Sequence, residues 1–117
     1  MDNREIALYT AKVLDAKKAQ DITIIDIAEK SGFADFFVIA TAPNLRLLSS
    51  LADEAEDKLA EQAVFMHHKE GENGSGWILL DFGDLIINLF TPEQREHYNI
   101  EKLWIDCDKI YYESEEK

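Results

Sequence analysis

Two carboxylates offer the first chemistry in this sequence. Asp81 and Asp84 flank the dipeptide Phe82-Gly83, between two apolar runs. Paired carboxylates can hold a divalent cation or act as general acid and base. An Asp beside a tight turn also accepts a hydrogen bond from the backbone of that turn. The spacing favours the turn role, and contact with a partner is the next alternative.

Two vicinal histidines offer a second chemistry, metal binding. His67 and His68 are adjacent in a predicted strand, so their side chains point to opposite faces and cannot reach one ion. One histidine with Asp81 or Asp84 is the arrangement that remains for a metal. A surface or half-buried pair is the better interpretation, and we expect no metal site.

The glycine-rich stretch lacks the context of a nucleotide site. Gly71, Gly74 and Gly76 precede a strand, whereas a phosphate-binding loop joins a strand to a helix. Ser75 lies in GSG rather than in the GxSxG pattern of a nucleophile elbow. We therefore expect neither a phosphate loop nor a serine nucleophile.

The single cysteine is not a promising nucleophile. Cys107 lies between Asp106 and Asp108, whose negative charges disfavour a thiolate. One cysteine also excludes an internal disulfide and fits a reducing compartment. We expect no catalytic residue and no cofactor.

The charge balance favours a basic partner. The chain has 24 acidic residues against 12 Lys and Arg, a formal net charge of −12. Neutralising a phosphate backbone needs clustered Lys and Arg, so we expect no direct, sequence-specific contact with nucleic acid. A ribosomal or similarly basic protein fits better, although acidity also serves solubility.

The sequence opens without a charged-then-apolar leader and has no apolar run of about 18 residues. We expect no membrane association and a cytoplasmic location.

Apolar periodicity and turn signals predict the helices and strands that position these residues. Apolar residues at helical spacing predict a first helix over residues 3–18 and a second after Asn44. Thr91-Pro92 predicts the start of a third helix, Asn99 its end, and residues 100–104 an extra turn. Strands are predicted at residues 22–27, 35–41, 64–69, 77–81 and 84–90.

The order of these elements predicts an α/β fold, a mixed five-stranded sheet with packed helices. The short link between the first two strands predicts an antiparallel pair, and the helix after the second predicts a parallel crossover. Residues 1–107 form one predicted domain. Residues 108–117 are expected to be an acidic, frayed tail, with Tyr111 or Tyr112 docked.

Aromatic residues are concentrated near the hairpin and the third helix. Trp77 starts a strand beside the glycine-rich stretch, and Phe82 lies at a turn, positions that suit exposed anchors. Core packing is the ordinary alternative for such residues. With Asp81, Asp84 and Glu93 nearby, the group predicts a binding patch for a basic protein.

Several ordered motifs resemble one family. They are DITIIDI at 21–27, ADFFVIAT at 34–41, LADEAEDKL at 51–59, GWILLDFGD at 76–84, FTPEQREHY at 90–98 and the closing Leu103-Trp104. Together, over about residues 4–106, they are similar to the ribosomal silencing factors (RsfS), also called iojap-like proteins.

The resemblance implies a nucleotidyltransferase-like α/β fold without transferase activity. It also implies binding to the large ribosomal subunit through its ribosomal protein fourteen, which blocks subunit joining and represses translation under nutrient limitation. The partner-binding residues that it implies are Trp77, Leu79, Asp81, Phe82, Asp84, Phe90, Arg95, Tyr98 and Trp104. Leu79 and Phe90 are the first of these that we expect in the core.

Two departures bear on the interface. Asn88 stands where many family members have His, and Phe82 where many have Tyr.

Two alternatives to a silencing factor remain at this point. One is a divergent nucleotidyltransferase that uses Asp81, Asp84 and a divalent cation, and the other is an adaptor that pairs its exposed apolar surface as a homodimer.

Overall fold

The sheet is built on two central strands that are buried along their whole length. In the computed structural model, which describes residues 1–71 and 74–111, these are β2 (Phe36–Thr41) and β5 (Leu85–Phe90). They pair in parallel, in register from Phe36 and Leu85 to Thr41 and Phe90. Continuous apolar runs of this kind are typical of strands that are covered on both faces.

The remaining elements follow the predicted order, with one addition. In chain order they are α1 (Asn3–Ala16), β1 (Gln20–Asp26), β2, α2 (Leu45–Glu61), β3 (His68–Glu70), β4 (Trp77–Asp81), β5, α3 (Pro92–Tyr98), α4 (Ile100–Leu103) and β6 (Lys109–Tyr111). The spatial order of the strands is β3-β4-β5-β2-β1-β6. The mixed α/β sheet with packed helices is therefore confirmed.

The predicted strand number is wrong by one. Lys109–Tyr111, within the predicted tail, forms β6 and pairs antiparallel with β1. Ile110 packs against the main core, which gives this short strand its apolar contact. Three residues carry too little alternation to be recognised from sequence. Docking of the Tyr111 or Tyr112 side chain lies outside what the structure describes.

The third predicted strand is also shorter than expected. Instead of residues 64–69, only His68–Glu70 pair with β4, and all three are exposed. Val64 and Met66 leave the sheet and pack against the core. β3 is antiparallel to β4, β4 is antiparallel to β5, and β5 is parallel to β2. β3 therefore runs parallel to β2, as the crossover predicts. The two strands are not neighbours, because β4 and β5 lie between them.

Helix ends agree with local signals in most cases. Asp2 and Glu5 form a reciprocal capping box at α1, and the Asn44 side chain accepts from the Leu47 N–H at α2. α3 starts at Pro92, and Asn99, which adopts a left-handed conformation, caps its C-terminal end. Thr91 occupies the N-cap position of α3, but its side chain makes no capping hydrogen bond.

The two faces of the sheet are covered unequally. α1 and α2 bury a large cluster on one face, including Leu14, Leu51 and Leu59. The second face has a smaller cluster that includes Ile25, Phe37 and Ile39, and the short helices α3 and α4 lie over this part. Coverage by two short helices leaves the β4 half of the second face more open.

Arg95 of α3 fixes those short helices to the sheet. Its guanidinium donates to Glu101 at 2.9 and 3.3 Å, to the Thr41 hydroxyl at 2.8 Å and to the Thr23 hydroxyl at 3.2 Å. It also donates to the Asp21 carbonyl at 2.6 Å, at an irregularity of β1 where Asp21 has a φ of 49°. We call these five residues the arginine clamp.

Replacement of Arg95 by Met should lower the free energy of unfolding by about 3 kcal/mol, because Glu101 would remain partly buried without its partner. Urea denaturation followed by tryptophan fluorescence measures this change. Lys102→Met, at an exposed position beside Glu101, is the matched control and should have little effect. Equal midpoints for the two variants would contradict a structural role of the clamp.

Gly71 is required for its backbone conformation. Its φ is +104°, and an added Cβ would overlap the carbonyl oxygen of Trp77 and lie 2.9 Å from Cα of Ile78. Gly71→Ala should therefore cost about 2 kcal/mol or more of stability, measured as a lower urea midpoint. Gly32→Ala is the control, since a Cβ there meets nothing within 4 Å; an equally small effect at both positions would disprove the expectation.

Candidate functional site

Alternation along β4 builds an exposed surface on the second face. Trp77, Leu79 and Asp81 are half-buried there, while Ile78 and Leu80 point into the main core. Tyr98, at the end of α3, adds a ring that is 46% exposed and lies against Trp77. We call Trp77, Leu79, Asp81 and Tyr98 the β4 surface.

The aromatic part of this surface is layered on the core. Phe90 is fully buried, and the Trp77 ring stacks on it with centroids 5.5 Å apart and planes 20° apart. Tyr98 packs 4.5 Å from Trp77 and 6.2 Å from Phe90. Stacked rings of this size present a large contact area with few freely rotating bonds.

A hydrogen bond also sets the orientation of Trp77. Its indole Nε1–H donates to Oδ1 of Asn88 on the neighbouring strand at 3.0 Å. Asn88 is only 1% exposed. The indole is therefore held both by ring contacts and by a directional polar contact.

Acidic side chains border the apolar part of the surface. Asp81 lies at its end, and Glu70 of the edge strand β3 lies opposite Leu79 in the register. His68 of β3 pairs with Asp81 in register and contacts Glu70 at 3.0 Å. An apolar centre with a rim of carboxylates is complementary to a basic protein surface.

The turn role of Asp81 is confirmed by its contacts. Its Oδ1 accepts from the Gly83 N–H at 2.8 Å, the pattern expected of Asp at a tight turn. Asp84 has an exposed side chain, and its carbonyl oxygen accepts from the N–H groups of Asp35 and Phe36 at 2.8 and 3.1 Å. The backbone of this hairpin turn thereby also secures the start of β2.

Phe82 is a correction to the sequence analysis. It is only 7% exposed and belongs to the main core, so its expected role as an exposed anchor is wrong. The Phe82 N–H donates to the Leu85 carbonyl and closes the hairpin. Its parity with Ile78 and Leu80 continues the core-facing positions past the end of β4, and this parity was the signal that could have placed it.

Other predicted contact residues have structural roles or lie elsewhere. Phe90 is a core residue, as expected, whereas Leu79 is half-buried. Arg95 is engaged in the arginine clamp. Trp104 packs against the same second-face cluster as Trp77 but makes other ring contacts, 5.4 Å from Phe37 and 6.5 Å from the exposed Phe33.

Sequence reasoning did not assign the rim and the polar support of the surface. Glu70 and His68 join it only through strand pairing, which the sequence does not reveal. Asn88 could have been found, because it is the single polar residue in the run Leu85–Phe90.

The turn after α4 is held by two lysines. Nζ of Lys109 lies 3.2 Å from the carbonyl oxygens of both Trp104 and Ile105. Lys30 contacts Asp106 at 2.8 Å. This hydrogen bond raises the pKa of Lys30 and lowers the pKa of Asp106, but both groups are exposed and the pair is a surface contact.

The predicted carboxylates are remote from a groove at the other end of β4. This groove, of about 650 Å³, is lined by residues of the glycine-rich stretch and of the segments that open α2 and α3, including Gly76, Asn44 and Thr91. Asp81 is at the opposite end of the strand, roughly 15 Å away at the rise of an extended chain. The geometry therefore does not join Asp81 and this groove into one site.

Residues 1–71 and 74–111, which the structure describes, contain no group of three or more His, Cys, Asp or Glu side chains that could hold a metal ion. None of their helices has the length and apolar character needed to cross a membrane.

Comparison with known proteins agrees with this architecture. A crystal structure of a Chromobacterium violaceum protein superposes with a TM-score of 0.86 at 27% identity, covering 100% of this chain and 98% of that one. The ribosomal silencing factor RsfS of Halalkalibacterium halodurans is 30% identical over 113 residues, 97% of each chain. A mouse relative named mitochondrial assembly of ribosomal large subunit protein 1 is 30% identical, over 79% of this chain and 42% of its own length.

The family described as "Ribosomal silencing factor during starvation" matches residues 1–117. The relatives carry regulatory rather than enzymatic names, and their role is associated with the ribosome. The chain belongs to the ribosomal silencing factor family, RsfS.

Proposed function

We propose that this chain binds the large ribosomal subunit through its ribosomal protein fourteen, blocks subunit joining and thereby represses translation when nutrients are limiting. Family membership supports a ribosome-associated role in translation, and the name of the mouse relative refers to the large subunit. Ribosomal protein fourteen is proposed as the partner because the hairpin and α3 motifs resemble those of the silencing factors, and that resemblance implies this partner.

The β4 surface is the observation that carries this proposal. It offers a half-buried Trp77 held in one orientation, with Asp81 and the β3 carboxylate Glu70 nearby. Buried aromatic anchors and a charged rim are what a specific protein interface uses. The net charge of −12 favours a basic protein over a nucleic acid as the direct contact.

The proposed mechanism is steric and needs no covalent step. The body of the protein is about 33 Å in each dimension. An interface of ordinary size covers roughly 800 Å² on each partner, so most of this body would project from the subunit. We propose that this bulk, placed in the cytoplasm on the joining surface, excludes the small subunit. Its acidic outer surface would also repel small-subunit RNA.

Trp77→Ala should weaken binding to purified large subunits roughly 30-fold, about 2 kcal/mol, if Trp77 is an anchor residue. Co-sedimentation over a range of protein concentrations measures the affinity, and light scattering with added small subunits measures joining. Wild type should travel with the large subunit and not with the small one. A wild type that stays at the top of the gradient would reject the proposed function.

The acidic rim can be tested without disturbing the turn. Asp81→Asn keeps the oxygen that accepts from Gly83 but removes the charge. Affinity should fall about threefold at low salt and less at high salt, because screening weakens exposed charge pairs. Asp57→Asn is the control, since Asp57 is exposed on α2, which packs against the opposite face. Equal losses for both variants would argue against a role of the rim.

A second copy of this chain is the alternative occupant of the β4 surface. Sedimentation equilibrium of the free protein distinguishes the two: Trp77→Ala should dissociate a homodimer built on this surface, while a monomer at all concentrations would exclude it.

A further inference from the structure

Asn88 carries an unused hydrogen-bond donor beneath the β4 surface. Among the described residues, its Nδ2 is the one buried side-chain nitrogen or oxygen without a hydrogen-bond partner. The residue is 1% exposed, and the other five residues of β5 are apolar. A buried donor without a partner costs stability, so its presence in this strand calls for an explanation.

The orientation of the amide follows from its contact with Trp77. The indole N–H is only a donor, so the atom 3.0 Å away must be the amide oxygen. The –NH₂ group is therefore directed away from the indole. In register, Asn88 lies between Ile39 of β2 and Leu79 of β4, and neither side chain can accept a hydrogen bond.

The position of the amide connects it with the proposed interface. Of the groups around it, Trp77 and Leu79 are the half-exposed members of the β4 surface, whereas Ile39 is fully buried. A small displacement of the Leu79 side chain, with Trp77 kept on its hydrogen bond to the amide oxygen, would open the amide toward a bound partner. Exposing the amide by displacing Ile39 would instead disrupt the core.

We infer that Asn88 is a specificity-determining residue of the β4 surface: its oxygen positions Trp77, and its amide donates to an acceptor oxygen that the protein partner places between Trp77 and Leu79. This inference rests on the proposed function. The acceptor is a backbone carbonyl or a hydroxyl rather than a carboxylate, because Asp81 and Glu70 lie nearby and the chain is strongly acidic.

The Asn88 amide would select among partners because leaving it unpaired in a complex costs binding free energy. A partner with an oxygen at this place completes the hydrogen bond, whereas one with an apolar group leaves the amide buried and unpaired. Sites that contain a polar group of this kind discriminate more strongly than purely apolar pockets. The same unpaired amide that lowers the stability of the free protein thus makes the complex selective.

The test distinguishes the role of the Asn88 amide oxygen from that of its –NH₂ group. Asn88→Leu has a similar branched shape without polar atoms, and Trp77→Phe removes the indole N–H that the amide oxygen accepts. The informative comparison is Trp77→Phe against Trp77→Phe/Asn88→Leu, because the amide oxygen has already lost its partner in both. Affinity for salt-washed large subunits and the urea midpoint are measured for each.

The expected result is opposite in sign for the two measurements. Adding Asn88→Leu to Trp77→Phe should raise the urea midpoint, because an unpaired buried amide is removed, and should weaken binding about tenfold or more. Asn88→Val, smaller and suited to a strand, replaces the Leu variant if that protein does not fold. A purely structural amide would give a lower midpoint and unchanged affinity.

The outcomes distinguish this inference from the function on which it rests. If wild type does not bind the large subunit, the proposed function and the inference both fail. If wild type binds and the added Asn88 substitution leaves affinity unchanged, the inference alone is overturned. A lowered urea midpoint in the Trp77→Phe background overturns it as well, because the amide would then already be satisfied within the chain.

Discussion

The hydrogen bonding of one guanidinium ties the two short helices of the second face to the sheet. Arg95 joins α3 to Glu101 of α4, to hydroxyls on β1 and β2, and to the Asp21 carbonyl. Its planar donors suit several acceptors at once, which a lysine could not satisfy in the same geometry. The clamp ties α3 and α4 to β1 and β2, while Tyr98 at the end of α3 reaches Trp77, and Trp77, Leu79 and Asp81 stay half-buried on β4.

Trp77 and Asn88 contribute both to the packing of the sheet and to the proposed binding surface. The ring stack with Phe90 ties the indole to the core, and Asn88 sets its rotation. The same asparagine leaves one buried donor unpaired, a local departure from the rule that buried polar groups are satisfied. Departures of this kind are expected where a sequence serves binding as well as folding. Preorganised anchors lose little conformational freedom on binding, which raises affinity for a given contact area.

Family membership and the physical character of the surface are consistent with each other. The chain matches the silencing factor family over its whole length, and its carboxylates suit a basic ribosomal protein. The contacts of Asp81 serve the hairpin turn, and the groove at the other end of β4 lies far from it. These features are consistent with the proposed role of the β4 surface in binding a protein partner.

Features of this protein that depend on neighbours in the chain could be predicted from its sequence. Apolar runs identified β2 and β5, the Pro92 and Asn99 signals bounded α3, and the Asp81 turn followed from local hydrogen bonding. The family motifs also located the hairpin that carries the β4 surface. Each of these properties is fixed by backbone preference or by contacts within a few residues.

Which of those residues contact one another depends on long-range packing and could not be predicted from the sequence. β6 is too short to show a pattern and exists because β1 offers an unpaired edge. Phe82 is buried although it adjoins a turn, since the hairpin folds onto the main core. Arg95 became a clamp and Asn88 a buried donor through partners up to 74 residues distant in sequence. Such roles depend on strand order and register, which are set by the packing of the whole sheet rather than by any one segment.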